Sequence, residues 1–174
     1  GARHINEAVV ALKDELLSRP RLHVVHITGP KELDAVTEAL ALTEEEAGRS
    51  TVGWVRGVYP TEATAREAMD KGELFVLEED GGIIAAAKIN QEQVPEYAQA
   101  PWRYADVPEE QVMVLRTLVV DPAQAGKGAG RAFVAFYEEY ARTHGCAYLR
   151  MDTNVKNQAA RRLYAHLGYW EVGV

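Results

Sequence analysis

Three glycines and two cations fall within ten residues, "QAGKGAGRAF" from Gln124 to Phe133, where an amphipathic helix begins. Each glycine gives up about 1 kcal/mol of helix stability relative to alanine, so the backbone there serves another purpose. A helix N-terminus carries four N–H groups without partners and roughly +0.5 of a charge. A glycine loop ahead of it can turn further amides inward and make an anion nest. Gly126, Gly128 and Gly130 keep Cβ atoms out of the way, while Lys127 and Arg131 add charge at the rim. The alternative is a tight strand-to-helix turn with no ligand, and the local spacing leaves both readings open.

Known phosphate loops fit poorly. A Walker loop needs G-x-x-x-x-G-K-[ST], whereas Lys127 is followed by Gly128. A dinucleotide loop needs G-x-G-x-x-G early in a parallel array, and here G-x-G-x-G comes late in the chain. Other chemistries find less. Ser18 and Ser50 are the only serines, and neither stands in G-x-S-x-G. Cys146, the single cysteine, enters a strand after Gly145 and reads as a buried apolar residue. It excludes an internal disulfide and a multi-cysteine metal site, and a reducing, cytoplasmic setting is the expectation. His23 and His26 lie on opposite faces of an expected strand, which suits no joint metal site. His144 and His166 fall in last turns of helices, where a cation is favoured.

These residues must be positioned by a chain of 174 residues with a net charge of −7, long enough for one domain with a real core. No Lys/Arg block exceeds two residues, which argues against nucleic acid. No apolar run approaches the roughly 18–20 residues of a membrane span. Ile5, Val9, Leu12 and Leu16 share a helical stripe over residues 4–18, so residues 1–20 read as an N-terminal helical extension. Leu22–Thr28 reads as a strand, and a helix runs from Pro30 to Gly48. Thr61 caps a short helix closed by Gly72, and two apolar runs flank the hairpin signal Asp80-Gly81. Residues 91–111 lack periodicity; a strand, "QVMVLRTLVVDP", follows and stops at Pro122. After the glycine helix come the strand "AYLRMDT", a helix capped by Asn157 and a short last strand, "YWEVGV". The order implies a mixed α/β domain, antiparallel in its first half with a parallel crossover later.

The run "LRTLVVDPAQAGKGAGRAFVAF" followed by "NQAARRLYAHLGY" resembles the GNAT superfamily of N-acetyltransferases. Their pattern is a strand ending in V-x-P, then [QR]-x-x-G-x-[GA], then N-x-x-A-x-x-L-Y-x-x-x-G-[FY]. Asn157, Ala160, Leu163, Tyr164, Gly168 and Tyr169 match the second part, and Gly128 and Gly130 the first. The usual Gln/Arg position is Ala125, with Gln124 one residue early. The resemblance covers residues 112–170, the expected coenzyme-binding core. It implies a mixed central sheet with helices on both faces and a V-shaped splay between its fourth and fifth strands.

The resemblance further implies that acetyl-CoA is the cosubstrate, with no metal. Its pyrophosphate would lie on the amides of Ala125, Gly126, Lys127, Gly128, Ala129, Gly130 and Arg131. Its pantetheine arm would pair with Leu118, Val119 and Val120, whose backbone donors polarise the thioester carbonyl. Tyr164 would protonate the departing thiolate, although its place on an apolar stripe also suits a core tyrosine. Asn157 would both cap its helix and contact the coenzyme's arm. The acceptor would be a primary amine of a small molecule or peptide, attacking directly in a ternary complex. Glu92, Glu96, Glu109 and Glu110 are candidate bases. Arg116, mid-strand, either faces a groove or pairs with an acid. The rings of Tyr97, Trp102, Tyr104, Trp54 and Tyr59 either select the acceptor or plug the long loop against the core. A non-catalytic acyl-CoA-binding module on the same fold is the alternative. The short C-terminus would leave a sheet edge suited to a homodimer.

Overall fold

The computed structural model describes residues 22–26, 36 and 60–173. The expected helices over 4–18 and 30–48 lie outside these residues, as do Trp54 and Tyr59. The described elements are β1 (Leu22–His26), α1 (Glu62–Asp70), β2 (Leu74–Glu79), β3 (Gly82–Asn90), β4 (Val112–Val120), α2 (Ala129–Thr143), β5 (Tyr148–Met151) and α3 (Gln158–His166). Short 3-10 turns cover Pro95–Gln99, Glu109–Gln111 and Pro122–Gln124.

The strands form one sheet in the order β1-β2-β3-β4-β5, antiparallel up to β4 and parallel between β4 and β5. At the β2–β3 hairpin, Asp80 (φ 53°) and Gly81 (φ 78°) are both left-handed, as a type I′ turn requires. Thr61 Oγ1 accepts from the Thr64 N–H while Thr64 Oγ1 accepts from the Thr61 N–H, a reciprocal cap that starts α1.

Alternation along the strands sends two sets of side chains to two faces. Leu74, Val76, Ala86 and Val119 pack with Ala65 and Ala68 of α1 and with Val36. Phe75, Leu77, Ala85, Ala87 and Leu115 pack on the other face with Phe133 and Tyr137 of α2, joined by Tyr164 of α3 and by Leu167, which caps it. Helices therefore cover both faces, as expected.

Two irregularities in β4 shape what lies beside it. Its ladder with β5 runs from Val112–Tyr148 to Leu115–Met151 and stops, while β4 continues along β3 to Val120. Against β3, the register passes from Ala86–Val119 to Lys88–Arg116, so Thr117 and Leu118 oppose Ala87 alone. This is a β-bulge, with Thr117 at φ 54°. The buried Tyr137 hydroxyl bridges the two strands within this ladder, 2.6 Å from the Met113 carbonyl and 2.9 Å from that of Arg150.

One expected element is corrected. Residues 169–173 form no strand. They are held by side chains instead: Tyr169 donates to Glu138 (2.8 Å), and Glu171 receives the Arg161 guanidinium (2.8–3.1 Å). The alternation in "YWEVGV" had suggested pairing, but no described strand pairs with this segment.

Candidate functional site: a cleft beside the fourth strand

A cleft of about 1410 Å³ lies where β4 leaves β5, bounded by the loop before α2 and by α3. Leu118, Val119 and Val120 line one side; Ala125, Gly126, Gly128, Ala129, Gly130 and Arg131 line the glycine end; Asn157 and Tyr164 come from α3 and its cap. Lys127 alone of the expected residues is not in the lining; its ammonium lies 3.2 Å from the Gln124 side-chain oxygen.

The glycines have separate local reasons. Gly126 (φ 74°) and Gly128 (φ 90°) occupy the left-handed region, which costs other residues about 1–2 kcal/mol. Gly130 allows close packing of two helices: a Cβ there would stand 3.1 Å from Leu163 Cδ2 of α3. A turn thus accounts for two of the three. The same turn leaves a donor set, however. The first bond into α2 runs from the Ala132 N–H to the Gly128 carbonyl (2.9 Å), so the amides of Gly128 to Arg131 precede the helical ladder.

Positive charge gathers at this end from two helices. Arg131 in the first turn of α2 and Arg162 on α3 both line the cleft, with His166 one turn beyond Arg162. Neither arginine forms an ion pair among the described residues. Sequence reasoning missed Arg162; its spacing of four from His166 on one helix face was the available signal.

Carboxylates collect at the opposite end, where Glu92 and Asp152 line the cleft beside Lys88 and Arg116. Arg116 is nearly buried (8% exposed), and both readings made of it hold: it faces the groove and pairs with acids. Its Nη1 is 3.2 Å from Glu92 Oε2, its Nη2 donates to the Glu92 carbonyl, and its Nε lies 4.0 Å from Asp152 Oδ2. The buried Tyr97 hydroxyl donates to Asp152 Oδ2 and lies 3.4 Å from Arg116 Nε. Burial, then the Asp152 charge, pushes the Tyr97 hydroxyl well above its usual value.

Of the four candidate bases only Glu92 reaches the cleft; Glu96, Glu109 and Glu110 do not line it. Lys88 above all, with help from Asn90 and Arg116, holds the Glu92 carboxyl below its ordinary range. Among the described residues, Tyr97, Trp102 and Tyr104 do not line the cleft either. Trp102 packs edge-on against Tyr97 and donates to its carbonyl (2.8 Å), with the Arg150 guanidinium over its ring. Tyr104 lies against Tyr148. These rings fasten the long loop to the sheet.

Tyr164 is half-buried, its ring edge-on to Tyr169 at 6.2 Å. Its hydroxyl makes no hydrogen bond among the described residues, unlike those of Tyr137 and Tyr169, and it is not an enclosed orphan. Tyr164 lines the cleft. Burial, then the Asp152 carboxylate, raises its pKa well above the usual tyrosine value, so it carries its proton at neutral pH. Asn157 Oδ1 caps α3 by accepting from the Ala160 N–H at 3.1 Å. Cys146 is buried and lies 3.4 Å from the Gln91 side-chain amide; burial raises its thiol pKa, which suits a structural residue. Among the described residues no cluster of three or more His, Cys, Asp or Glu is placed to hold a metal, and no helix is long and apolar enough to cross a membrane.

Comparison with known proteins agrees with this fold. The chain is 30% identical over 95 residues to the uncharacterized N-acetyltransferase YhfO of Bacillus subtilis, a match spanning 55% of this chain and 63% of that protein. Its fold is similar to a GNAT-family acetyltransferase from Streptococcus agalactiae, with TM-score 0.68, 19% identity and 87% of each chain covered. It is likewise similar to yncA of Salmonella typhimurium, solved with acetyl-CoA, with TM-score 0.60, 19% identity, and 85% of this chain and 79% of that one covered. Residues 38–169 match the model of the acetyltransferase (GNAT) family, and the chain belongs to that family.

Proposed function

We propose that the protein transfers an acetyl group from acetyl-CoA to a primary amine of a small molecule or peptide, by direct attack in a ternary complex. One observation carries this reading. A single cleft brings together the amides ahead of the α2 ladder, the β4 segment without a β5 partner, and the proton-bearing Tyr164.

The residues present fit the coenzyme. The Gly128–Arg131 amides, with Arg131 and Arg162, form a donor set for a pyrophosphate at a helix N-terminus. Residues Leu118–Val120 offer a strand edge along which an amide-bearing arm can lie. When bound, acetyl-CoA supplies an activated thioester. The chain's part is to fix that thioester against β4, to exclude water with the side chains of α3, and to hold a proton on the Tyr164 hydroxyl for the leaving sulfur. The charge pattern supports the direction: Arg131 and Arg162 without carboxylates at the glycine end, and at the other, beside Lys88 and Arg116, the carboxylates of Glu92 and Asp152, of which the half-exposed Asp152 can attract a protonated amine. The single free cysteine suits a reducing, cytoplasmic compartment.

The test is thermal unfolding with acetyl-CoA, coenzyme A, ATP and NAD in parallel. A ligand at about 100 times its Kd adds about 2.7 kcal/mol, a midpoint rise of roughly 5–11 °C for this chain length. A rise with the two coenzymes, followed by amine-dependent thiol release, is expected. A rise without turnover would leave a binding module, and a rise with ATP or NAD only would overturn the reading.

A further inference from the structure

Of the four glutamates that the sequence offers as bases only Glu92 lines the cleft, but its surroundings suit it poorly. Its Oε2 lies 3.2 Å from Arg116 Nη1, 3.5 Å from Lys88 Nζ and 3.4 Å from Asn90 Nδ2. A carboxylate in that company is stabilised as the anion and gives up basicity.

Asp152 is placed differently. It directly follows Met151, the last residue of β5 to pair with β4, so it stands at the mouth of the opening between the strands. Ligands of open α/β sheets bind beyond such strand ends. Its side chain is half exposed and lines the cleft. The two carboxylate oxygens have different surroundings. Oδ2 receives the Tyr97 hydroxyl and lies 4.0 Å from Arg116 Nε, and both of those groups are buried and fixed. Oδ1 has no hydrogen bond among the described residues, in a residue that is exposed. One oxygen is thus clamped and the other is left for a ligand. Asp152 also lies within electrostatic range of Tyr164, the proposed proton donor.

We propose that Asp152 binds the acceptor's nitrogen through Oδ1 and accepts its proton, with Tyr97 acting as the positioning residue that fixes Oδ2. This rests on the acetyl-transfer reading above. Oδ1 first takes one proton from the ammonium, which frees the lone pair of the nitrogen. The nitrogen then bonds to the acetyl carbon as the carbon–sulfur bond breaks and sheds its second proton to solvent in the open cleft, while the departing sulfur takes the proton of the Tyr164 hydroxyl. Solvent in the open cleft then returns one proton to Tyr164 and removes one from Asp152. The acceptor class follows: a primary amine that arrives protonated and is drawn to the open Asp152 carboxylate oxygen, in preference to an uncharged nucleophile.

The experiment compares two nucleophiles with acetyl-CoA. 1-Butylamine is a cation at neutral pH and must lose a proton, whereas hydroxylamine is already uncharged. Asp152→Asn should lower kcat/KM for butylamine by about 10²-fold while leaving hydroxylamine within about threefold. The acetyl-CoA-induced rise in Tm should stay at the wild-type value. Tyr97→Phe, which keeps the carboxylate and removes only its clamp, should shift the butylamine-to-hydroxylamine ratio in the same direction by less. Equal losses on both nucleophiles, or no loss on either, would overturn the assignment for either variant, including one that folds poorly. Failure of acetyl-CoA to raise the wild-type Tm would overturn the parent reading instead, which keeps the two outcomes distinct.

Discussion

Tyr164 and Tyr169 stand five residues apart with their rings in contact, yet replacing each by phenylalanine should affect different properties. The Tyr164 hydroxyl has no partner among the described residues, so Tyr164→Phe removes no internal hydrogen bond and leaves ring packing intact. Stability should change by less than about 0.5 kcal/mol, as for substitutions that remove no named interaction. At roughly 2–4 °C per kcal/mol that is a Tm shift of at most about 2 °C. Loss of a general acid costs on the order of 10²-fold in rate, or about 2.7 kcal/mol of barrier at 1.36 kcal/mol per tenfold. The assay is thiol release from acetyl-CoA with butylamine, alongside thermal unfolding of the same preparation. A full-rate Tyr164→Phe enzyme would refute the acid role. A variant that loses more than about 1 kcal/mol of stability would refute the claim that the hydroxyl serves the cleft and not the core.

Two further outcomes follow from the same structure. Gly126 is left-handed with nothing within 4 Å of an added Cβ, so Gly126→Ala should cost about 1–2 kcal/mol by backbone strain alone. Gly126→Asn, which tolerates that conformation, should cost less by chemical denaturation. Glu138 accepts from Tyr169 in a partly buried site, and burial raises its carboxyl above the ordinary value of 4.5. A raised acid binds more protons folded than unfolded, so its contribution is full below pH 4.5 and is lost as pH rises through the folded value. The stability of wild type relative to Glu138→Gln, which does not titrate, should therefore fall with rising pH over that window in urea titrations.

Much of this protein was legible in local sequence because the signals are themselves local. The Asp80-Gly81 turn, the Thr61 and Asn157 caps, and the stripe of Phe133 and Tyr137 each depend on residues within a turn or two, and each element formed where those signals lie. The motif pair around Gly128 and Asn157 pointed to the family and to most of the cleft lining. The final strand did not form, since alternation states only that a segment can pair and says nothing of whether an edge is within reach. The charged ends of the cleft are also a tertiary result. Arg131 and Arg162 come from different helices, and Tyr97 meets Asp152 across 55 positions of sequence. Periodicity carries no information about such meetings. The end of the β4–β5 ladder and the crossing of α2 with α3 at Gly130 decide them, and both depend on how the elements pack.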